Sequence, residues 1–319
     1  MRLAIVTPAR AGSHLGNRLT AERYARLLRG LGHSVRILTS WRGEACDMLI
    51  ALHARKSHAS IARFARAHPQ QPLCLVLTGT DIYVDGPLDA RVRASLELSN
   101  VRVVLQAGAR ARVGLPAHVI PQSARPVAPR AKARAFEVLV LGHLRPVKDP
   151  FRAAQAARTL PPDSRIVVLH AGKALSGSMA RRARAEMRRS SRYRWLGDLP
   201  HARARGLLAR ASAFVLSSRS EGGSLALAEA LVQGVPVLAS RIEANVAMLG
   251  ARHPGLYPFG DTRALAALML RCERDLNFRR RLARVSRVRG ARLTPALERA
   301  AWKRLLRSVP GKKGPPRSP

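Results

Sequence analysis

Acidic side chains are few. The 319-residue sequence sets 19 Asp and Glu against 57 Lys and Arg, a formal charge of +38, and no Asp-x-Asp pair sits where it could hold a divalent cation. Aromatic residues make up only 4%, so Leu, Val, Ala and Ile must fill the interior. Aromatics are not interleaved with the basic residues, and no RNP-like strand, zinc-finger spacing or basic-zipper heptad accompanies them. That pattern leaves non-specific attraction of anions and argues against sequence-specific nucleic-acid recognition. Only seven of the basic residues are Lys. Segments such as ARARGLLARA, residues 202–211, read as Arg on the solvated side of Ala-rich helices. The three cysteines, Cys46, Cys74 and Cys272, show no CxxC or other metal spacing, which predicts reduced thiols and a cytoplasmic protein. No run approaches the roughly 20 apolar residues of a membrane span. LAIV near the N-terminus is too short for a signal-peptide core.

What is present is an alternation of short apolar strands with amphipathic helices, the pattern of parallel α/β layers. Strands are predicted at Leu3–Thr7, Ser34–Leu38, Met48–Leu52, Leu73–Leu77, Val101–Leu105 and His118–Ile120, with a helix at Thr20–Leu31. PQSARPVAPRAKARA, residues 121–135, interrupts the alternation with proline and charge and reads as a linker. A second series follows, with strands at Phe136–Leu141, Arg165–His170, Tyr193–Leu196, Ala213–Leu216 and Val235–Ala239. Helices are expected to open near Asp149, Ser178, Ala202 and Ser224, with others at Arg263–Arg274 and Pro295–Leu306. These signals predict an α/β chain with domains at 1–125 and 126–290, a last helix within 291–309, and a disordered tail at 310–319.

The most informative stretch is SEGGSLALAEALVQGVPVLAS, residues 220–240. Ser224 is a good N-cap, while Gly234 and Pro236 stop a helix, so a helix of about ten residues is predicted between them. The turn before it follows the strand AFVLSS, at the end of a strand where open α/β sheets bind ligands. The N–H groups and dipole at such a helix start favour a diphosphate over Gly222, Gly223 and Ser224. Glu221 before the turn and Glu229 beyond it could grip hydroxyls on either side, one the ribose and the other the sugar. The loop 11–18 follows a strand, and Gly12, Ser13, Gly16, Asn17 and Arg18 there could cradle an anion. Its glycines do not fall as GxGxxG, so a nicotinamide dehydrogenase is the weaker enzyme reading. His53, after MLIAL, and the Thr78 to Asp81 turn, after LCLVL, stand at strand ends of the same half.

The Glu-x7-Glu segment resembles the signature of glycosyltransferase family 4, retaining enzymes of GT-B fold. The likeness extends to LGHLRPVKD, residues 141–149, which is similar to the segment whose Arg and Lys neutralise the donor diphosphate, and to residues 193–218 on the nucleotide side. It implies two Rossmann-like domains facing a cleft, with the last helix crossing back to the first. It also implies a UDP-sugar donor, no metal, Glu221, Lys148 and Arg145 as catalytic groups, and His143 and Leu196 beside the donor. The sequence departs from the family in placing Gly142-His143 where Gly-Arg is usual, with Arg145 two residues later.

More narrowly, MRLAIVTPARAGSHLGNRLTAERYARLL, LVLTGTDIY, LGHLRPVKDPFRAA and SEGGSLALAEAL together resemble the selenosugar synthases of selenoneine biosynthesis. This implies transfer of a hexosyl group, from UDP-GlcNAc or UDP-glucose, to selenophosphate. It also implies functional coupling to an enzyme that makes selenophosphate. An anionic, soft selenium nucleophile needs orientation and charge compensation more than deprotonation, which suits a sequence in which no His–Asp pair stands out. Two other classes stay open: a family 4 transferase with a carbohydrate or lipid-linked hydroxyl acceptor, and a basic nucleic-acid-binding protein. The hexose and the product's anomeric configuration are both open as well.

Overall fold

The computed structural model describes residues 1–13, 15–83, 86–131 and 133–309; the tail expected to be disordered, 310–319, lies outside them. The chain divides into two compact units, one of Met1–Gln122 with the segment from Pro295 onward, the other Ser123–Thr294.

In the first unit β1 (Arg2–Val6), β2 (Ser34–Leu38), β3 (Met48–Leu52), β4 (Leu73–Leu77), β5 (Val101–Val104) and β6 (His118–Val119) form one parallel sheet in the order β2-β1-β3-β4-β5-β6. MLIAL and LCLVL are buried at every residue, the mark of parallel strands covered on both faces by helices. The helices are α1 (Gly16–Arg29), α2 (His58–Ala67), α3 (Ala90–Leu98) and α4 (Ala109–Val113), joined by α12 (Pro295–Ser308). α12 completes this unit's core: Trp302 is fully buried edge-on to Tyr24 of α1, with ring centroids 4.8 Å apart, and Arg23 Nε lies 3.1 Å from Glu298 Oε2.

α1 starts four residues before the expected Thr20. The Thr20 hydroxyl, inside the helix, donates to Gln122 Oε1 at 3.1 Å. Gly16, Asn17 and Arg18 therefore form its first turn, not a loop.

The second unit pairs β7 (Phe136–Leu141), β8 (Ile166–Ala171), β9 (Tyr193–Trp195), β10 (Ala213–Leu216), β11 (Val237–Ser240) and β12 (Leu256–Tyr257) in the parallel order β12-β11-β10-β7-β8-β9. β12 is too short to stand out in the sequence, and β11 begins two residues later than expected because Pro236 has no N–H for the ladder. Around the sheet lie α5 (Arg152–Arg158), α6 (Gly177–Arg189), α7 (His201–Arg210), α8 (Leu225–Gln233), α9 (Glu243–Leu249), α10 (Thr262–Arg274) and α11 (Leu276–Gly290). Winding reverses between β7 and β10, whose successors lie on opposite sides of the sheet, so the loops after these two neighbours open a crevice at their C-terminal ends.

α8 is the helix expected after the Gly-Gly turn. Ser224 Oγ accepts from Leu227 N at 3.3 Å, and Gly234 ends the helix at φ 72°. α11 holds it from behind. Ser286 Oγ donates to the Val235 carbonyl at 2.7 Å, and a Cβ on Gly290 would collide with the Leu231 carbonyl. Gly290→Ala is therefore expected to lower stability by about 1–3 kcal/mol, against the roughly 1 kcal/mol that alanine's helix propensity contributes the other way. A urea denaturation midpoint equal to that of the parent chain would show that the two helices can part without cost.

Candidate active site

At the crevice between β7 and β10 the chain leaves β7 through Gly142 to Lys148, the last three of these residues forming a 3-10 turn. It leaves β10 through Ser217 to Glu221. Lys148 Nζ donates to Glu221 Oε1, and Ser218 Oγ donates to the same oxygen at 2.6 Å. Glu221 is buried, and these two donors satisfy its carboxylate. The two loops are stitched further: Ser217 Oγ donates to the Asp149 carbonyl at 2.8 Å and Arg219 N to the Val147 carbonyl at 2.9 Å. Ser240 Oγ supports Ser218 by donating to its carbonyl at 2.6 Å. Asp149, next to Lys148, sits at φ 42°, a left-handed conformation rarely taken by a residue other than glycine. Its carboxylate accepts from Arg152 Nε at 2.7 Å.

Of the residues proposed from sequence, Glu221 and Lys148 are in contact, and Gly222, Gly223 and Ser224 form the buried turn that opens α8. Arg145 stands at the start of the 3-10 turn, and its Nε is buried with no hydrogen-bond partner among the described residues. An orphaned guanidinium donor beside Lys148 fits an anionic group. His143 is tied to the neighbouring loop, its Nδ1 accepting from Lys173 N at 3.1 Å. Leu196 follows β9, with its N–H donating to the His170 carbonyl at 2.8 Å. Glu229 projects from α8 toward α7, where its Oε1 meets His201 Nε2 at 2.6 Å and Arg205 Nε at 3.9 Å.

Several supporting groups escaped the sequence reading. His170, fully buried, bridges Gly142 and Tyr193: with Nε2 donating to the Gly142 carbonyl at 3.0 Å, Nδ1 accepts from the Tyr193 hydroxyl at 3.0 Å. Behind it a Cβ on Gly172 would collide with the Gly142 carbonyl, so the two loop backbones touch where only glycine fits. An isolated histidine inside an apolar run gives no signal of this role.

In the first unit the residues expected to cradle an anion are arranged differently from that expectation. Gly12 is left-handed at φ 74°, and Ser13 Oγ turns back to the Arg10 carbonyl at 2.8 Å. Arg18 Nε pairs with Glu22 one turn along α1 at 2.7 Å. At the ends of β3 and β4 a His–Asp pair does form, contrary to the sequence reading. His53 Nδ1 lies 3.9 Å from Asp81 Oδ2, and its Nε2 is 3.2 Å from Thr80 Oγ1. Asp81 accepts three backbone N–H groups, from Ala54 at 3.0 Å, Thr78 at 3.3 Å and Gly79 at 2.7 Å, and so ties the two loops together. His53 is held at φ 73°. Burial pushes its imidazole below the usual range, with Asp81 opposing the shift.

Among the described residues, no three His, Cys, Asp or Glu side chains are arranged to hold a metal ion, and no helix is long and apolar enough to cross a membrane.

The family model for glycosyl transferases group 1 matches residues 125–289, more than half of the sequence. The chain belongs to the group 1 glycosyl transferases. Solved structures agree with this group 1 glycosyl transferase in fold. HepE of Anabaena, determined in complex with UDP, superimposes with a TM-score of 0.78 at 16% identity, covering 97% of this chain and all of that one. Sucrose-phosphate synthase from Thermosynechococcus elongatus gives 0.80 at 16% identity over 97% and 98% of the two chains. A glycosyltransferase from Rickettsia africae gives 0.77 at 11% identity over the same shares. The fold is GT-B.

Two buried histidines set an acid limit on the second unit. Burial depresses both His170 and His253 to about 4. The unfolded chain takes up these protons near 6.5, so stability is complete above that pH and falls as pH drops toward 4. Each histidine is expected to cost roughly 1–2 kcal/mol by pH 5. Urea midpoints compared at pH 7 and pH 5 check this, with His253→Asn removing about half of the loss; identical midpoints would mean the two rings are charged in the native state.

Proposed function

We propose that the chain transfers a hexosyl group from a UDP-sugar to selenophosphate: selenium bonds to the anomeric carbon as the C–O bond to UDP breaks, and water then cleaves the Se–P bond, leaving a 1-selenosugar and phosphate beside UDP. The observation that carries the donor half is the meeting of Lys148 with Glu221 beside the start of α8, at the point where the sheet's winding reverses. A diphosphate there would receive the helix N–H groups, the Lys148 ammonium and the orphaned Arg145 Nε. Departure of UDP puts negative charge on that diphosphate, and these fixed positive groups stabilise it without a metal. Glu221 would take hydroxyls of the hexose, and Glu229 the ribose. The UDP-glucose complex of HepE supports this choice of donor. The chain's formal charge of +38 favours an anionic acceptor. Three buried free thiols agree with a reducing cytoplasmic setting, where a selenophosphate-producing enzyme would supply the nucleophile. The domain limits this reading uses are 1–125 for the acceptor and 126–290 for the donor, with the last helix returning to the first.

The His53–Asp81 pair favours a second reading, in which the acceptor is a hydroxyl and His53, kept neutral by burial, receives its proton. The two readings separate in one assay. UDP release from UDP-GlcNAc and UDP-glucose is followed with selenophosphate or with carbohydrate hydroxyls as acceptor, and the product anomer is read by NMR. Selenophosphate-dependent release, undiminished by EDTA, is the expected result; release with hydroxyl acceptors alone would establish the second reading instead. In the active assay Lys148→Ala is expected to lower kcat by about 10²-fold or more, as loss of one preorganised charge partner does. Unchanged turnover would remove Lys148 from the site.

A further inference from the structure

We propose that His201 is a positioning residue, which fixes the Glu229 carboxylate so that its second oxygen can bind the ribose diol of the donor nucleotide. The inference rests on the donor site proposed above and extends it to a residue outside the Glu-x7-Glu segment.

Glu229 is the fifth residue of α8 and is buried. A carboxylate in such a place is free to swing between rotamers unless something holds it, and each ordered rotamer carries an entropic cost. His201 supplies the hold. It is the first residue of α7, directly after Pro200, and shares a helix face with Arg205 four residues on. Arg205 lies 3.9 Å from Glu229 Oε1 and spends another N–H on the Arg125 carbonyl. The close contact is therefore the 2.6 Å one from His201 Nε2. An ionised carboxylate can only accept, so His201 carries its proton on Nε2.

Both contacts fall on Oε1, and Oε2 accepts nothing among the described residues. A vicinal diol offers two donors to a carboxylate. With Oε1 pinned, the plane of the carboxylate and the direction of Oε2 are set before the nucleotide arrives, and binding need not order them. The His201 side chain is 37% exposed, so replacing it opens no core cavity.

The test compares affinities for UDP and 2′-deoxy-UDP by calorimetry in the parent chain, His201→Ala, His201→Gln and Glu229→Ala. The parent is expected to prefer UDP by about tenfold or more, the usual effect of leaving one charged acceptor unpaired. His201→Ala should bring that preference to within about threefold of unity, close to Glu229→Ala, while His201→Gln, which still offers an N–H, should recover most of it. Thermal unfolding of His201→Gln should stay close to that of the parent, while His201→Ala, which leaves the buried Glu229 with Arg205 alone, should unfold at a somewhat lower temperature and still bind UDP. A full 2′-hydroxyl preference in His201→Ala, or a glutamine variant no better than alanine, overturns the assignment while the donor site stands. A parent chain that binds neither nucleotide overturns the donor site itself.

Discussion

The pairing of β7 with β10 is the constraint on which the second unit's candidate site depends. These strands are neighbours in the sheet yet far apart in sequence, and the chain winds away from them in opposite directions. Only at such a reversal can two strand-end loops spread apart enough to admit a ligand and still face each other. Lys148 arrives from one loop and Glu221 from the other. Their mutual contact gives a buried carboxylate its counter-charge. The surrounding stitches, from Ser217, Ser218, Ser240 and His170, hold loops; they do not extend the core.

Among the described residues, six of the 19 acids of this basic chain lie in the interior. Asp81, Glu137, Glu186, Glu221, Glu229 and Glu298 are all buried. Each has its own compensation: three backbone N–H groups for Asp81, Arg210 for Glu137, Arg158 for Glu186, Arg23 for Glu298. A buried negative charge without such a partner would cost far more than one exposed to water. Much of the surface arginine has no acid to meet, so the outer field is positive and draws anionic solutes toward the molecule.

Most of the scaffold was legible because it follows from periodicity. The central strands are continuous apolar runs, and Ser224 and Gly234 mark the ends of α8 with side-chain and backbone chemistry that acts locally. The Glu-x7-Glu spacing gave both carboxylates for the same reason. What escaped was non-local. Thr20, the expected start of α1, lies inside the helix and gives its hydroxyl to Gln122, about a hundred residues away. His53 and Asp81 are 28 positions apart and become a pair only through the β3–β4 register. His201 and His170 gain their meaning from partners on other elements, and no spacing rule links them.

The first unit is discontinuous, since α12 supplies Trp302 and Glu298 to a core otherwise built from residues before Gln122. On the ribosome, those early strands emerge well before the helix that seals them, and the intervening 172 residues of the second unit must pass through the exit tunnel in between. The later-made unit, whose residues are contiguous, can reach its native state while the earlier one still waits with Tyr24 and its neighbours uncovered. A nascent chain stalled ahead of α12 would present an apolar surface to chaperones.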